Sequence, residues 1–407
     1  MSAITSGRTW RTPMLVLAAA AITVILSMGL RSSFGLFLRP VSADLGWGRE
    51  IFAFGMALQN LLWGAFQPVA GAIADRFGAG RVIAGGGVLY ALGLYVMSTT
   101  SSPLDFHVSA GLLIGMAQSG AGLSVVLGAA GRAFPEERRS WALGVITAAG
   151  SLGQFSIVPL GQAFLSTYGW QVSFVLLGII ALLIIPMGPA LQGRAEPLTA
   201  ADDQTLGQAL REAVAHKGFL LLTLGFYVCG FHVAFIGVHL PAYLVDRGAS
   251  AELGAWALAL IGLFNIVGSY TAGVLGGRRS KKYLLSTIYL LRAVAFFGFI
   301  IVPVTITSTV LFSAAIGLLW LSTIPLTSGL VAQIFGPRYM ATLFGVVFFG
   351  HQLGSFTGVW LGGYLFDTTG SYDVVWWAGV ALGIAAAIVH WPIDDKAVAR
   401  LEAIQAR

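Results

Sequence analysis

Two arginines lie deep within apolar stretches of this 407-residue sequence, Arg31 in LRSSFGLF and Arg292 in YLLRAVAFF. A guanidinium at the centre of a bilayer costs at least ~2.5–3.5 kcal/mol on insertion scales. All seventeen acidic residues fall in predicted loops, termini or span ends, so none is placed to neutralise these two charges. We therefore expect a water-filled cavity in which an anionic substrate pairs with the two guanidinium groups, because the forked donors of a guanidinium match a carboxylate.

Each arginine also has a structural interpretation. Arg31 could extend its side chain to the outer interface of the membrane. Arg292 could bond to backbone carbonyls or contact a neighbouring helix. The sequence favours substrate contact for Arg31 and leaves both interpretations of Arg292 open.

Two histidines within apolar stretches, His232 and His351, are candidates to carry a coupling proton. Imidazole changes charge near neutral pH, and both residues are predicted near the middle of a span. Either could instead be a packing residue. The remaining candidate substrate contacts are the polar or aromatic side chains Phe34, Gln154, Tyr227, Asn265, Ser269, Tyr270 and Gln352. Phe34 and Tyr270 could form an apolar wall.

The sequence lacks the residue patterns that an enzyme, a metal site or an ATP-driven pump would need. No His, Cys, Asp and Glu grouping has the spacing of a metal site or of a nucleophile with its base, and the single Cys229 offers no disulfide framework. The phosphate-binding pattern GxxxxGK[ST] is missing. We expect neither an enzyme, nor an ATP-driven pump, nor a cofactor.

The elements that must position these residues are membrane-spanning helices. Hydrophobic residues make up 57% of the chain, charged residues 10%, and the mean hydropathy is +0.83. Such values are atypical of a protein with a wet surface. Runs of about twenty apolar residues predict twelve spans. Their ranges are 13–38, 50–74, 82–98, 106–131, 141–165, 171–193, 218–241, 253–276, 284–303, 308–333, 341–364 and 374–393.

The basic residues predict the orientation. Of 23 lysines and arginines, only Arg39, Arg49 and Arg247 fall on the side opposite the termini, while Arg31 and Arg292 fall within spans. The positive-inside rule then places both termini in the cytoplasm of a cell membrane protein and requires an even number of spans. Because topology accounts for these charges, we expect no nucleic-acid partner.

The sequence repeats itself at half its length. FPEERRSWALGVITAAGSLG and FGPRYMATLFGVVFFGHQLG match at an offset of 201 positions in Phe134 and Phe335 and in Gly144 and Gly345. The repeat predicts an N-terminal half at residues 1–193 and a C-terminal half at 218–407, each with six spans. Residues 194–217 form a linker, which could be a short surface helix, because Leu206, Leu210 and Val214 have helical spacing, or a solvated connector.

The segment GAIADRFGAGR after the second span, with Gly71, Asp75, Arg76, Gly78 and Arg81, resembles the major facilitator signature. The resemblance implies an all-α membrane protein with twelve transmembrane helices in two pseudo-symmetric halves and substrate near mid-membrane between them. It also implies that Asp75 caps span eleven and latches the cytoplasmic gate. Arg76 and Arg81 could be gating residues or topological anchors.

A second copy of the signature, GVLGGRR, has Gly277 in place of the acid, so we expect one latch to be degenerate.

Segments 138–178 and 336–377 resemble the monocarboxylate porter family, in which a cation stands where Arg31 stands here. Many relatives carry an Asp and an Arg where this chain has Asn265 and Ser269. The resemblance implies a monomeric secondary transporter that moves a small organic anion together with a proton by alternating access. The alternative is proton-driven export of a hydrophobic compound.

Overall fold

A computed structural model describes residues 11–193, 204–336 and 339–401, apart from the side chains of residues 136, 137 and 140. The described chain is almost entirely helical and contains no β-strand. Its α-helices are α1 (Pro13–Ser32), α2 (Leu38–Leu45), α3 (Arg49–Phe77), α4 (Ala79–Ser98), α5 (Pro103–Phe106), α6 (Ile114–Ala121), α7 (Leu123–Gly131), α8 (Glu136–Leu182), α9 (Leu206–Ala215), α10 (Lys217–Asp246), α11 (Ala251–Gly276), α12 (Lys281–Ile301), α13 (Ile306–Leu319), α14 (Thr323–Phe335), α15 (Met340–Thr369) and α16 (Asp373–His390).

These helices form the twelve predicted spans. Nine stretches of the described chain are long and apolar enough to cross a bilayer, and one of them, Trp141–Met187, contains two spans because α8 is interrupted at Gly169. The 29-residue α3 and the 30-residue α15 complete the set. In chain order, spans 1 to 12 are α1–α2, α3, α4, α5–α7, the two parts of α8, α10, α11, α12, α13–α14, α15 and α16.

Two glycines occupy corresponding positions in the predicted halves. Gly169 and Gly370 follow spans 5 and 11 with φ of 75° and 73°, and they are again 201 positions apart in the sequence. A positive φ of this size favours glycine, which has no Cβ to clash with the following peptide. Both halves therefore place a glycine with positive φ at the corresponding position, although ψ is 176° at Gly169 and 6° at Gly370.

Three spans are interrupted inside the bundle. In span 1, α1 ends at Ser32 and a 3-10 turn at Phe34–Phe37 separates it from α2. In span 4, Gly122 has an extended backbone and separates α6 from α7. In span 10, α13 ends at Leu319 and α14 begins at Thr323. An interruption leaves backbone carbonyls without their usual helical partners, and such groups are free to bind side chains or ligands.

The halves touch at one end of the bundle and are separated at the other. We name these the Arg49 end and the Asp75 end, after residues at opposite ends of span 2. Near the Arg49 end, a Cβ added to Gly363 would lie 2.6 Å from the Cβ of Ala53, so spans 2 and 11 are in close contact. Toward the Asp75 end, an added Cβ would meet no atom within 4 Å at several glycines of spans 2, 5, 8 and 11. These are Gly71, Gly144, Gly273 and Gly345.

The short helix predicted in the linker is present as α9. Thr205 and Gln208 form a reciprocal capping box at its start, which satisfies two otherwise unpaired backbone donors. Leu206 and Val214 are exposed, as expected for an apolar face that meets a membrane surface. The preceding linker residues 194–203 lie outside the described residues.

Candidate functional site

A cavity lies between the halves at the level of the break in span 1. Its lining includes Arg31 and Phe34 from span 1, Asn60 from span 2, Gln154 from span 5 and Trp320 from span 10. The volume open to the centres of water molecules is about 50 Å³, and a single water needs ~10–15 Å³ of such space. The cavity thus suits a small molecule. Its remaining walls are mostly apolar, with Val233, Val238 and Leu258 among them.

Arg31 faces this cavity with part of its hydrogen-bonding capacity unused. Its Nη2 donates to Oδ1 of Asn60 at 2.6 Å, and its guanidinium lies 5.1 Å from the ring centroid of Trp63. The Nε atom is buried and has no hydrogen-bond partner among the described residues. An unpaired donor on a buried cation is costly, so this edge is suited to an acceptor supplied from the cavity.

Arg292 lies elsewhere and is fully engaged by the protein. Its side chain is buried, and its guanidinium donates to the carbonyls of Leu319 and Trp320 and to Sγ of Cys229. These carbonyls are available because span 10 breaks after Leu319. The prediction that Arg292 contacts substrate is not supported by its position, and the alternative of bonds to backbone carbonyls is the one observed.

Polar residues of spans 5 and 8 hold the two halves together. Gln154 lines the cavity and its Nε2 donates to the carbonyl of Leu258 at 2.7 Å. Asn265 donates to Oγ of Ser151 at 2.8 Å and accepts from Ser269 at 3.0 Å. Asn265 therefore joins the C-terminal half to the N-terminal half, and Ser269 supports it from the same helix. Neither side chain lines the cavity.

Span 11 brings His351 and Gln352 close to the Arg31 site. His351 Nδ1 lies 3.0 Å from Oε1 of Gln352, and Gln352 Nε2 donates to the backbone carbonyl of Asn60 at 2.8 Å. His351 also stacks on Phe348, with ring planes 8° apart. Gln352 thus connects the predicted histidine to the residue that holds Arg31, although neither side chain lines the cavity.

Three other predicted residues lie away from the cavity. Tyr227 hydrogen-bonds to Thr357 at 2.6 Å, a contact between spans 7 and 11. His232 is buried and pairs with the carbonyl of Gly379 at 2.8 Å, inside the C-terminal half. Tyr270 is 75% exposed and shares a face of α11 with exposed Val267, so it does not form the expected apolar wall. Phe34 alone of the two predicted aromatic residues does so.

The predicted gating motif is exposed at the Asp75 end. Gly78, with φ 97°, ends α3, and Asp75, Arg76 and Arg81 are exposed. Among the described residues, no side chain caps the N-terminus of α15. The expected contact between Asp75 and span 11 is absent in this conformation because the halves are separated here.

The Arg49 end carries a cluster that sequence reasoning missed. Arg49 pairs with both carboxylate oxygens of Asp246, at 2.5 and 2.8 Å, and its guanidinium lies 3.6 Å from the ring centroid of Phe366. Asp367 accepts from the backbone N–H groups of Arg49 and Glu50 at 2.9 and 2.8 Å. Asp367 thus caps span 2 from span 11. The pseudo-symmetry with Asp75, which was expected to cap span 11 from span 2, was the available signal.

Tyr372 completes this cluster. Its hydroxyl accepts from Arg49 at 2.9 Å and pairs with Nδ1 of His239 at 3.1 Å. Burial raises the pKa of Tyr372, so the phenol stays protonated and can donate to the imidazole. The cluster is therefore a set of mutually satisfied groups that closes the Arg49 end.

Comparison with known proteins agrees with the helical architecture. The family model described as Major Facilitator Superfamily matches residues 20–358. The inward-open xylose transporter XylE from E. coli superposes with a TM-score of 0.73 at 15% identity, covering 97% of this chain and 99% of that one. A bacterial homolog of the human lysosomal transporter Spinster, inward-facing and occupied, gives 0.71 at 15% identity, with coverage of 92% and 95%.

Sequence relatives are transporters as well. The uncharacterized MFS-type transporter YcxA of Bacillus subtilis is 26% identical, covering 93% of this chain and 95% of the relative. Monocarboxylate transporter 13 of Rattus norvegicus is 27% identical, with coverage of 88% and 83%. Monocarboxylate transporter 11 of Mus musculus is 30% identical, with coverage of 88% and 82%. The chain belongs to the Major Facilitator Superfamily, a family of transport proteins and not of enzymes.

It is therefore a multi-pass membrane protein and a secondary transporter of a small molecule.

Proposed function

We propose that this transporter moves a small monocarboxylate-like anion, with Arg31 as the residue that binds the carboxylate. The observation that carries the proposal is the buried, unpartnered Nε of Arg31 at a cavity lined by both halves. Among the described residues, no carboxylate lies within ion-pair distance of this guanidinium. The small cavity and the similarity to monocarboxylate transporters support the same substrate class.

Transport proceeds by alternating access. The contact of the halves at the Arg49 end and their separation at the Asp75 end support a state open to one side. With the basic loops in the cytoplasm of a cell membrane, the Asp75 end faces inward and both termini are cytoplasmic. Asp75 then reaches span 11 only in the opposite state, in which the Asp367 cap is broken. A monomer contains every element of this cycle.

A proton accompanies the anion, and His351 carries it. His351 lies one side chain away from Asn60, through Gln352, so a charge on the imidazole acts on the residue that holds Arg31. His232 has no such connection and pairs with a carbonyl inside its own half. Of the two histidine candidates, His351 is therefore the better placed.

Proteoliposomes test the proposal. Uptake of labelled pyruvate, lactate and oxalate, with and without a pH gradient, should be present in the wild type and lost in Arg31→Ala. Arg211→Ala, at an exposed position of α9, is the matched control and should transport normally. Full carboxylate uptake by Arg31→Ala would remove this residue from the mechanism.

The apolar lining favours one alternative, proton-driven export of a hydrophobic compound. Phe34, Val233 and Val238 would pack against such a molecule. This function predicts no carboxylate uptake by the wild type and pH-dependent movement of neutral or cationic solutes. The same proteoliposomes distinguish the two functions.

A further inference from the structure

The guanidinium of Arg31 is held by two side chains of span 2. Asn60 accepts from Nη2, and Trp63 presents its indole face 5.1 Å from the guanidinium carbon. Residues three apart on a helix project from the same face, so one segment of span 2 supplies both contacts. Together they restrict the plane and one end of the guanidinium and leave the Nε edge unpaired.

Both contacts have a fixed orientation. Asn60 is buried, and its Nδ2 donates to the carbonyl of Met56 at 2.8 Å, which leaves Oδ1 for Arg31. This assignment of the amide is forced, because a guanidinium has donors only. The Trp63 indole is held by a hydrogen bond from Nε1 to Oε1 of Gln67 at 3.1 Å. Neither side chain is free to rotate without losing a bond.

Span 11 supports the same two residues from the other half. Gln352 donates to the backbone carbonyl of Asn60, and Phe348 packs edge-on against Trp63 with centroids 5.4 Å apart. A Cβ added to Gly64 would lie 2.8 Å from Cγ of Gln352, so the glycine permits this approach. The arrangement that holds Arg31 therefore depends on contact between spans 2 and 11.

We propose that Asn60 and Trp63 are positioning residues that aim the Nε edge of Arg31 at the substrate carboxylate, and that Gln352 and Phe348 hold them in place when spans 2 and 11 are in contact. This inference rests on the proposed role of Arg31 in anion binding. Asn60 contributes a neutral acceptor, which orients the guanidinium without cancelling its charge. A carboxylate at the same position would satisfy Arg31 from within the protein and remove the need for the anion.

Asn60→Asp is the decisive variant because it changes charge at constant shape. Pyruvate uptake should fall at least about 100-fold, while the Tm of the purified protein should change little, because the new ion pair with Arg31 offsets the lost hydrogen bond to the carbonyl of Met56. The chain's other asparagine provides the control. Asn265 contacts Ser151 Oγ and the N–H of Leu321 and no cation, so Asn265→Asp should lower the Tm.

A second variant separates affinity from turnover. Asn60→Ala frees the guanidinium to rotate, so the KM for pyruvate should rise about tenfold with little change in maximal rate. Wild-type KM in both Asn60→Asp and Asn60→Ala, alongside an inactive Arg31→Ala, would overturn the positioning role and leave the anion proposal intact. Normal uptake by Arg31→Ala would instead overturn the proposed function itself.

Discussion

Each half of this transporter places one arginine inside the bundle, and the two are satisfied in different ways. Arg292 in the C-terminal half donates to two backbone carbonyls and a thiol, all supplied by the protein. Arg31 in the N-terminal half donates to one amide oxygen and keeps Nε unpaired beside a cavity. The difference shows that a buried cation without an acid is not sufficient to indicate an anion site. What distinguishes Arg31 is an unpartnered donor on a side chain that lines a cavity.

The largest effect should follow removal of Arg292. Arg292→Met keeps most of the side-chain volume and leaves the carbonyls of Leu319 and Trp320 without their donor. Each unsatisfied buried carbonyl costs about 1–3 kcal/mol, so the variant should lose roughly 2–6 kcal/mol of stability. A fall in the Tm of the detergent-purified protein measures this loss. Folded Arg292→Met should keep the wild-type KM for pyruvate, and a raised KM at unchanged Tm would show that the two arginines are not functionally distinct.

Arg31→Lys should show the opposite pattern. The ammonium of lysine is a compact point charge. It cannot bind Asn60 and at the same time present a second pair of donors to a carboxylate. Loss of one charge-assisted hydrogen bond costs about 1.5–3 kcal/mol, which corresponds to a roughly 10- to 150-fold rise in KM. The Tm should change little, since Nε of Arg31 makes no bond to lose. Wild-type kinetics in Arg31→Lys would mean that only charge matters at this site.

The sequence was sufficient to predict the fold and insufficient to separate these two sites. The twelve apolar runs are a property of local composition, so the spans could be predicted from the sequence. The acceptors of Arg292 are backbone carbonyls, which every residue has and no sequence pattern marks. The side of span 8 on which Tyr270 lies depends on how the span packs. The residues around it are apolar on all faces of the helix, so the sequence does not indicate which face is buried.

The cluster of charged residues at the Arg49 end could not be predicted for a related reason. Asp246 and Asp367 were assigned to span ends, as their positions require, but their partners come from the other half of the chain. A distance of 318 residues between Arg49 and Asp367 leaves no spacing to recognise. Only the pseudo-symmetry of the two halves relates this cap to the Asp75 motif.

His351→Gln tests whether the titratable group acts through the Arg31 site. The amide can still contact Gln352 but cannot take up a proton, so stimulation of pyruvate uptake by a pH gradient should be lost. Exchange of labelled for unlabelled pyruvate without a gradient should persist within a few-fold. His232→Gln is the matched control and should retain the response to the gradient. Full pH-driven uptake by His351→Gln would assign the proton to another group.

Asp367→Asn should give the smallest effect and test whether the two arginines differ in access to water. Asparagine keeps one acceptor of the cap and loses the second, a loss of about 0.5–1.5 kcal/mol that favours opening of the Arg49 end by about 2- to 10-fold. Opening exposes the cavity beside Arg31, so a cysteine placed by Ser32→Cys in a Cys229→Ser background should react faster with a membrane-impermeant maleimide. Cys229 is buried against Arg292, and in the Asp367→Asn protein it should stay unreactive because its thiol is enclosed within the C-terminal half. Equal acceleration at both positions would show that opening loosens the whole bundle and would remove the distinction between the two arginines.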